Sequence, residues 1–242
     1  MQQLKILADG GVAGWNAWRL QNTDVVPDLE NADLSGGNWR GVDFRNANLR
    51  GAVLRRTDLR GAALSEAQLT QADLREADLG GAVLDGADLS RADMKRARLS
   101  STDLRKVRLT RADLTEADLT RSAMLQSDVS ESSMARASLK QANLAGACLR
   151  RADLRGAALN EAQLRWADLR EADLSDANLQ RASLEECQLA NARFQGADLR
   201  ESGLQQSNLT NADLRGAILQ DVNLDNARLD GVKLPEQSSD PG

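Results

Sequence analysis

The chain has no histidine and no tyrosine, and among its 242 residues only two are cysteine and three are proline. Histidine is the commonest general base and a frequent zinc ligand, so its absence removes the usual starting points for both kinds of site. The sequence also contains no Gly-x-Ser-x-Gly elbow, phosphate-binding loop or Cys-x-x-Cys pair. We therefore predict a protein that is not an enzyme and holds no metal and no cofactor.

Long apolar runs are missing as well. No stretch approaches the roughly 18 apolar residues that a membrane-spanning helix needs, and no charged-then-apolar leader comes before the main pattern. Two cysteines are too few for a disulfide framework. We expect a cytoplasmic protein with two free thiols and no membrane contact.

One pattern dominates what is present. A large apolar residue recurs at every fifth position from Leu34 to Leu234, and Leu fills 34 of these 41 positions. Two residues before each of them stands a small side chain, most often Ala. A period of five matches neither the 3.6-residue period of a helix nor the two-residue period of a strand. An internal repeat of this strictness predicts a repeat architecture.

The spacing within one unit indicates how the backbone runs. Residues two apart face the same side of an extended chain, so Ala72 and Leu74 point inward while Asp73 and Arg75 point outward. The next small residue, Ala77, comes three positions after Leu74, which requires one bend in each unit. Four bends of about a right angle would close a coil of about 20 residues, and successive coils would stack at roughly 4.8 Å.

The units resemble those of the pentapeptide-repeat proteins, whose pattern is written A(D/N)LXX. Ala112–Glu116 and Ala142–Gly146 reproduce this pattern in full, and the match extends over residues 29–234. The resemblance implies an all-β fold, a right-handed quadrilateral β-helix, here of about ten coils. We expect a capping segment with a short helix over residues 1–26, the β-helix over 27–234 and a polar tail over 235–242.

The N-terminal segment departs from the repeat. Val12, Trp15 and Trp18 share one helical face within Gly11–Gln21, which predicts a short amphipathic helix. The first coil of a solenoid exposes a sheet edge and a layer of apolar side chains, so we expect this helix to cap it. A helix that binds a partner is the alternative.

No such segment follows the last coil. Pro235 ends the ladder because proline cannot donate to it, but a polar tail does not cover the apolar end. The end is a candidate for a two-fold dimer contact, and the alternative is a frayed last coil that the tail shields. The residues concerned are Leu219, Leu224, Leu229 and Leu234.

Two surfaces stand out when residues twenty apart are stacked. The first wall, centred on Leu34 to Leu234, carries a row of aspartates that forms a candidate acidic face. The alternative interpretation is that these aspartates hydrogen-bond the backbone of nearby turns. The third wall, centred on Phe44 to Leu224, is poorest in charge and offers a candidate partner-binding patch, although scattered surface apolar residues are also normal. The acidic positions are Asp73, Asp93, Asp113, Asp153, Asp173 and Asp213, and the patch positions are Val83, Leu125, Ala145 and Trp166.

These features predict a scaffold protein that presents flat walls to a protein partner of unknown identity. The alternative is a DNA mimic that binds DNA gyrase, a type II topoisomerase, and protects it from inhibitors, as some pentapeptide-repeat proteins do. An acidic stretch over residues 171–242, with 6 Lys/Arg against 13 Asp/Glu, favours the alternative. Two features disfavour the DNA-mimic alternative. The central positions carry Leu where gyrase-protecting members tend to have Phe, and the first half of the chain has no net charge. Direct nucleic-acid binding is not expected, because the early arginines, Arg40 to Arg60 at every fifth position, point in four directions.

Overall fold

The computed structural model describes residues 2–235. Its N-terminal helix α1 spans Gln2–Gln21 and is interrupted at Gly11, where φ is 55° and ψ is −159°. The helix therefore begins earlier than the predicted Gly11–Gln21. The apolar residues before the interruption are helical too, and Leu7 is buried.

A solenoid follows the helix. Single-residue parallel bridges occur at every fifth residue from Asp28 to Asp213, and each joins a residue to the one twenty positions later. Four pentapeptide units therefore make one coil. Within the described part of the chain, backbone pairing takes this form rather than that of longer strands.

One unit accounts for all five of its backbone N–H groups. Asp73 N donates to a carbonyl of the preceding coil, and Leu74 N and Glu76 N donate to carbonyls of the following coil, at 2.7–3.0 Å. Ala72 N closes a turn on the previous unit. The remaining N–H, that of Arg75, donates to Asp73 Oδ1 at 3.4 Å. The small, Asp/Asn and Leu positions of the repeat thus have separate structural roles.

The bend comes at the fifth residue of the unit. Glu76 has a φ of 58°, and the equivalent residue of the other units also has a positive φ. Glycine adopts this conformation without penalty, whereas other residues are strained in it. Here the turn and the hydrogen bonds to the next coil hold many non-glycine residues in it, so the fold tolerates polar side chains at the bend.

The core is a set of stacked Leu and Ala columns. From Val42 to Leu214 the central and small residues are buried, as the inward assignment predicts. A buried Leu side chain contributes about 1.5–3 kcal/mol. The loss of conformational entropy on folding offsets most of this free energy. Each coil is therefore stable only in contact with its neighbours.

Helix α1 covers the first coil. The Trp15 side chain is fully buried, with its ring centroid 5.5 Å from that of Phe44 in an edge-on arrangement. Val12 and Trp18 are half-buried against the same core. Apolar side chains of the helix therefore pack against the exposed end of the first coil.

Polar side chains of α1 also bind the exposed backbone edge of the first coil. Trp15 Nε1 donates to Asp43 O at 2.7 Å, and Asn16 Oδ1 accepts from Asp43 N at 2.9 Å. Arg19, which is 7% exposed, donates to Val25 O and to Arg45 O at 3.0 and 2.9 Å. These contacts occupy the part of this edge around Asp43 and Arg45, which is thereby withheld from pairing with another chain.

The opposite end is open within the described residues. Leu219 and Leu224 are half-buried, whereas Leu229 is 42% exposed and Leu234 is 57% exposed. The predicted tail from Glu236 to Gly242 lies outside the described residues. The last apolar layer is thus the most exposed part of the core.

Candidate interaction surface

Each aspartate of the candidate acidic face has a cation close by. The same six aspartates sit at bridge positions, and each also accepts a hydrogen bond from the backbone N–H two residues later. The closest pairs are Asp73 with Arg75 (2.8 Å) and Arg55, Asp93 with Arg75 (3.5 Å), Asp113 with Lys95 (3.0 Å), Asp153 with Arg155 (2.7 Å), Asp173 with Arg193 (3.7 Å) and Asp213 with Arg215 (2.6 Å).

Arginine contacts keep several of these carboxylates ionised. A hydrogen bond from Arg215 lowers the pKa of Asp213 to about 2. On the second wall, Arg60 lowers the pKa of Asp58 to about 2 in the same way. The pKa of Asp153 is lowered chiefly by its hydrogen bond from Arg155. The first wall is consequently a lattice of alternating charges rather than a bare acidic surface.

Charges at the bends pair across coils. Arg56 Nε lies 2.9 Å from Glu76 Oε2, and forty residues later Arg96 Nε lies 2.7 Å from Glu116 Oε2. Exposed pairs of this kind contribute about 0–1 kcal/mol each. They leave little unpaired charge in this part of the surface.

The third wall contains an apolar region in its middle coils. Leu125 and Ala145 are half-buried and occupy equivalent positions of consecutive coils. The hydrogen bond from Gln126 N to Ala145 O, at 3.1 Å, joins the two coils at this place. Arg165 occupies the same place in the next coil, with Gly146 N donating to its carbonyl at 2.9 Å. We define the Trp166 patch as Leu125, Ala145, Arg165 and Trp166.

Val83 does not join this patch. It is 39% exposed and bridges to Asp103, which in turn bridges to Ala123 beside Leu125. The Arg105 guanidinium binds the Asp103 carboxylate at 2.6 Å. A charged coil therefore separates Val83 from the other three candidate residues.

Trp166 is the most exposed side chain of the patch. It is 56% exposed and has a φ of 62°, at a bend position that otherwise carries glycine or polar residues in the described solenoid. The Arg165 guanidinium stacks on its ring with 4.8 Å between Cζ and the ring centroid. A bulky residue in this conformation costs about 1–3 kcal/mol. Neither packing nor turn geometry explains why it is there.

The cysteines lack the properties of a reactive site. Cys187 is buried at an inward small position, where desolvation raises its pKa to about 12. Cys148 is half-buried, and both thiols are free. No cluster of three or more metal-ligating side chains occurs among residues 2–235, and no helix of this part of the chain could cross a membrane.

Several residues of these surfaces were not found from the sequence. Asn16 and Arg19 bind the edge of the first coil, and Arg165 stacks on Trp166. The one available signal was the spacing of Trp15, Asn16 and Arg19 along a single helix. Side-chain direction at a bend such as Trp166 cannot be read from a five-residue period.

Comparisons with known proteins agree with this architecture. A family model described as pentapeptide repeats matches residues 28–65, 62–100, 92–128, 137–176, 167–206 and 197–234. Comparison with curated protein sequences gave no match.

Solved structures give further similarities. HetL, a pentapeptide repeat protein involved in heterocyst differentiation regulation from the cyanobacterium Nostoc sp. strain PCC 7120, is 31% identical. That match covers 90% of this chain and 96% of HetL, with a TM-score of 0.52. QnrB1, a plasmid-mediated fluoroquinolone resistance protein, is 20% identical over 80% of this chain and 90% of its own, with a TM-score of 0.46. A pentapeptide repeat protein from the Arabidopsis thaliana thylakoid lumen is 35% identical over 45% of this chain and 69% of its own, with a TM-score of 0.34.

Proposed function

Because this chain belongs to the pentapeptide-repeat family, we propose that it is a non-catalytic scaffold protein whose third wall binds a protein partner. The observation that carries the proposal is Trp166, a 56% exposed aromatic side chain at a bend position where the other units of the described solenoid carry glycine or polar residues. Leu125 and Ala145 supply aliphatic surface on the two preceding coils of the same wall.

The composition of the patch fits a binding site. Trp and Arg are enriched among the residues that dominate binding energy at protein interfaces. Arg165 and Trp166 are already stacked on each other, so less side-chain freedom is lost when a partner arrives.

The proposal requires flat, rigid walls. We take the solenoid to be right-handed and four-sided with about ten coils, as the family resemblance implies. Bridges between residues twenty apart and one turn in every five residues support this geometry. We also assign the capping role to α1, on the basis of its contacts with the first coil.

The proposal is tested with the double variant Trp166→Gly, Leu125→Ser. Glycine relaxes the bend and the lost stacking contributes only about 0.5–1 kcal/mol, so the melting temperature should stay close to that of the wild type. Loss of an interface hot spot should weaken partner binding by at least about 2 kcal/mol, roughly thirtyfold. Quantitative mass spectrometry of proteins captured from the source cells measures this loss.

Glu161→Gly provides the matched control. It places glycine at the equivalent bend of the neighbouring wall, where φ is 60°, and should leave the captured proteins unchanged. If the double variant captures the same partners as the wild type in equal amounts, the third wall is not the binding surface.

The open C-terminal end supports a second proposal, a homodimer formed by two copies end to end. Leu229 and Leu234 would be covered in such a contact. Light scattering should give twice the 26.2 kDa chain mass for the wild type and the single mass for Leu229→Asp, Leu234→Asp. A wild-type protein at the single mass would contradict the dimer.

The alternative function is DNA mimicry, in which the protein binds DNA gyrase and protects this topoisomerase from its inhibitors. The net charge of −7 over residues 171–242 favours it. The arginines that bind the first-wall aspartates count against it, because DNA presents phosphates without such partners. Gyrase supercoiling that is unaffected by this protein, with and without a quinolone, would eliminate the alternative.

A further inference from the structure

The third wall continues beyond Trp166 into a small notch. Gly203 leaves the notch open at a position where preceding coils carry larger polar side chains. A Cβ atom at Gly203 would lie 2.8 Å from both Glu185 Oε1 and Gln205 Oε1, so these two side chains lean over the glycine. We define the Gly203 notch as Glu185, Gly203 and Gln205.

The notch contains acceptors that lack donors. Glu185 Oε2 and Gln205 Oε1 are shielded from solvent and have no hydrogen-bond partner within the described residues. Arg165 Nε lies 3.9 Å from Glu185 Oε2, which is beyond hydrogen-bond distance. Exchanging the oxygen and nitrogen of the Gln205 amide would place one N–H donor in the notch. Glu185 Oε2 would still lack a hydrogen-bond donor. A buried acceptor in this state costs free energy that a correctly placed donor would recover.

The charge around the notch specifies the donor. Glu185 and Glu186 are both acidic, and residues 171–242 have a net charge of −7. An ammonium or guanidinium group supplies several donors together with positive charge. Among the described residues Arg165 pairs with both glutamates, at 3.9 Å from Glu185 Oε2 and 3.4 Å from Glu186 Oε1, so one positive charge faces two carboxylates and a cationic donor would balance the second.

We propose that the Gly203 notch receives a Lys or Arg side chain of the partner while an apolar side chain of the same segment packs on the Trp166 patch. This inference rests on the proposed function of the third wall. Trp166 lies two coils before Gln206, hence about 10 Å away along the wall. Residues three apart in a polyproline II segment lie on the same face and span about 9 Å. The partner segment therefore has the pattern apolar-x-x-Lys/Arg.

The experiment uses a random phage-displayed peptide library selected on the immobilised full chain. Selected peptides are synthesised, and their affinities are measured by fluorescence anisotropy for the wild type and for Glu185→Gln and Gly203→Ala. Gly203 has no positive φ, so alanine fills the notch without backbone strain. Glu171→Gln makes the same charge change at a bend of the fourth wall and serves as the control.

We expect the selected peptides to be enriched in the apolar-x-x-Lys/Arg pattern. Loss of a charge-assisted hydrogen bond should reduce affinity at least about tenfold in Glu185→Gln and Gly203→Ala, with no change in Glu171→Gln. Acetylating the peptide lysine should cause a similar loss in the wild type and none in Glu185→Gln, since the two changes remove one interaction.

The outcomes separate this inference from the proposed function. Peptides that lose affinity to Trp166→Gly but show no basic preference and no response to Glu185→Gln would overturn the notch and leave the third wall as the binding surface. Peptides that respond to Glu185→Gln but not to Trp166→Gly would remove the Trp166 patch instead. A selection that yields no binding peptide would contradict both.

Discussion

Replacing Trp15 by alanine is expected to destabilise the N-terminal coils by about 3–5 kcal/mol. The indole is fully buried against Phe44, and its Nε1 donates to Asp43 O. Alanine would remove this packing, leave a backbone carbonyl without its donor and expose Phe44. Because solenoid coils contact only their neighbours, the loss should appear first as faster hydrogen exchange at amides of residues 29–49.

Leu20→Ala is the control for this variant. Leu20 lies on the same helix and is 78% exposed, so its truncation should change stability by less than about 0.5 kcal/mol. Equal exchange rates in Trp15→Ala and the wild type would mean that α1 does not cap the solenoid.

Ala172→Leu is expected to be the most disruptive single change within the rod. Ala172 is fully buried in a column with Ala152 and Ala192, one coil away on either side. Leucine adds three carbon atoms where adjacent coils leave no space, and overpacking of this kind costs about 1–3 kcal/mol or more. We place this variant at the upper end of the range, near 3 kcal/mol, because backbone pairing holds the coil spacing on both sides. Urea denaturation followed by circular dichroism measures it.

The outward position Ala135 provides the comparison. It is half-buried and carries the same residue type, so Ala135→Leu should stay within about 0.5 kcal/mol of the wild type. If Ala172→Leu unfolds at the same urea concentration as Ala135→Leu, the assignment of the small residues to the interior is wrong.

The interior of this protein could be predicted from its sequence because one rule decides it. A side chain at the small or central position of each unit faces inward whatever its neighbours are, so Ala162 and Leu164 were assigned without knowledge of tertiary contacts. The same rule identified the two ends as exceptions. The spacing of Val12, Trp15 and Trp18 indicates a helix from Gly11, whereas the structure interrupts the helix at Gly11 and continues it back to Gln2.

The surface could be predicted less well, for a physical reason. The first-wall aspartates left two interpretations open, and their partners depend on side-chain conformations and on residues in adjacent coils. Asp73, for example, contacts Arg75 in its own unit and Arg55 one coil earlier. The Gly203 notch likewise arises because the side chains of Glu185 and Gln205 extend over a glycine, which has no side chain of its own. A residue spacing contains no information about such directions.

The central claim is that twenty residues form one coil, which determines every surface assignment above. Spin labels on cysteines introduced at Ser65 and Asp225 test it most directly, with Cys148 replaced by serine. These positions are equivalent outward sites 160 residues apart, hence eight coils, and pulsed electron resonance should give a distance of about 38 Å at a coil spacing of roughly 4.8 Å. A distance near 20 Å or above 60 Å would contradict the coil geometry and with it the third wall.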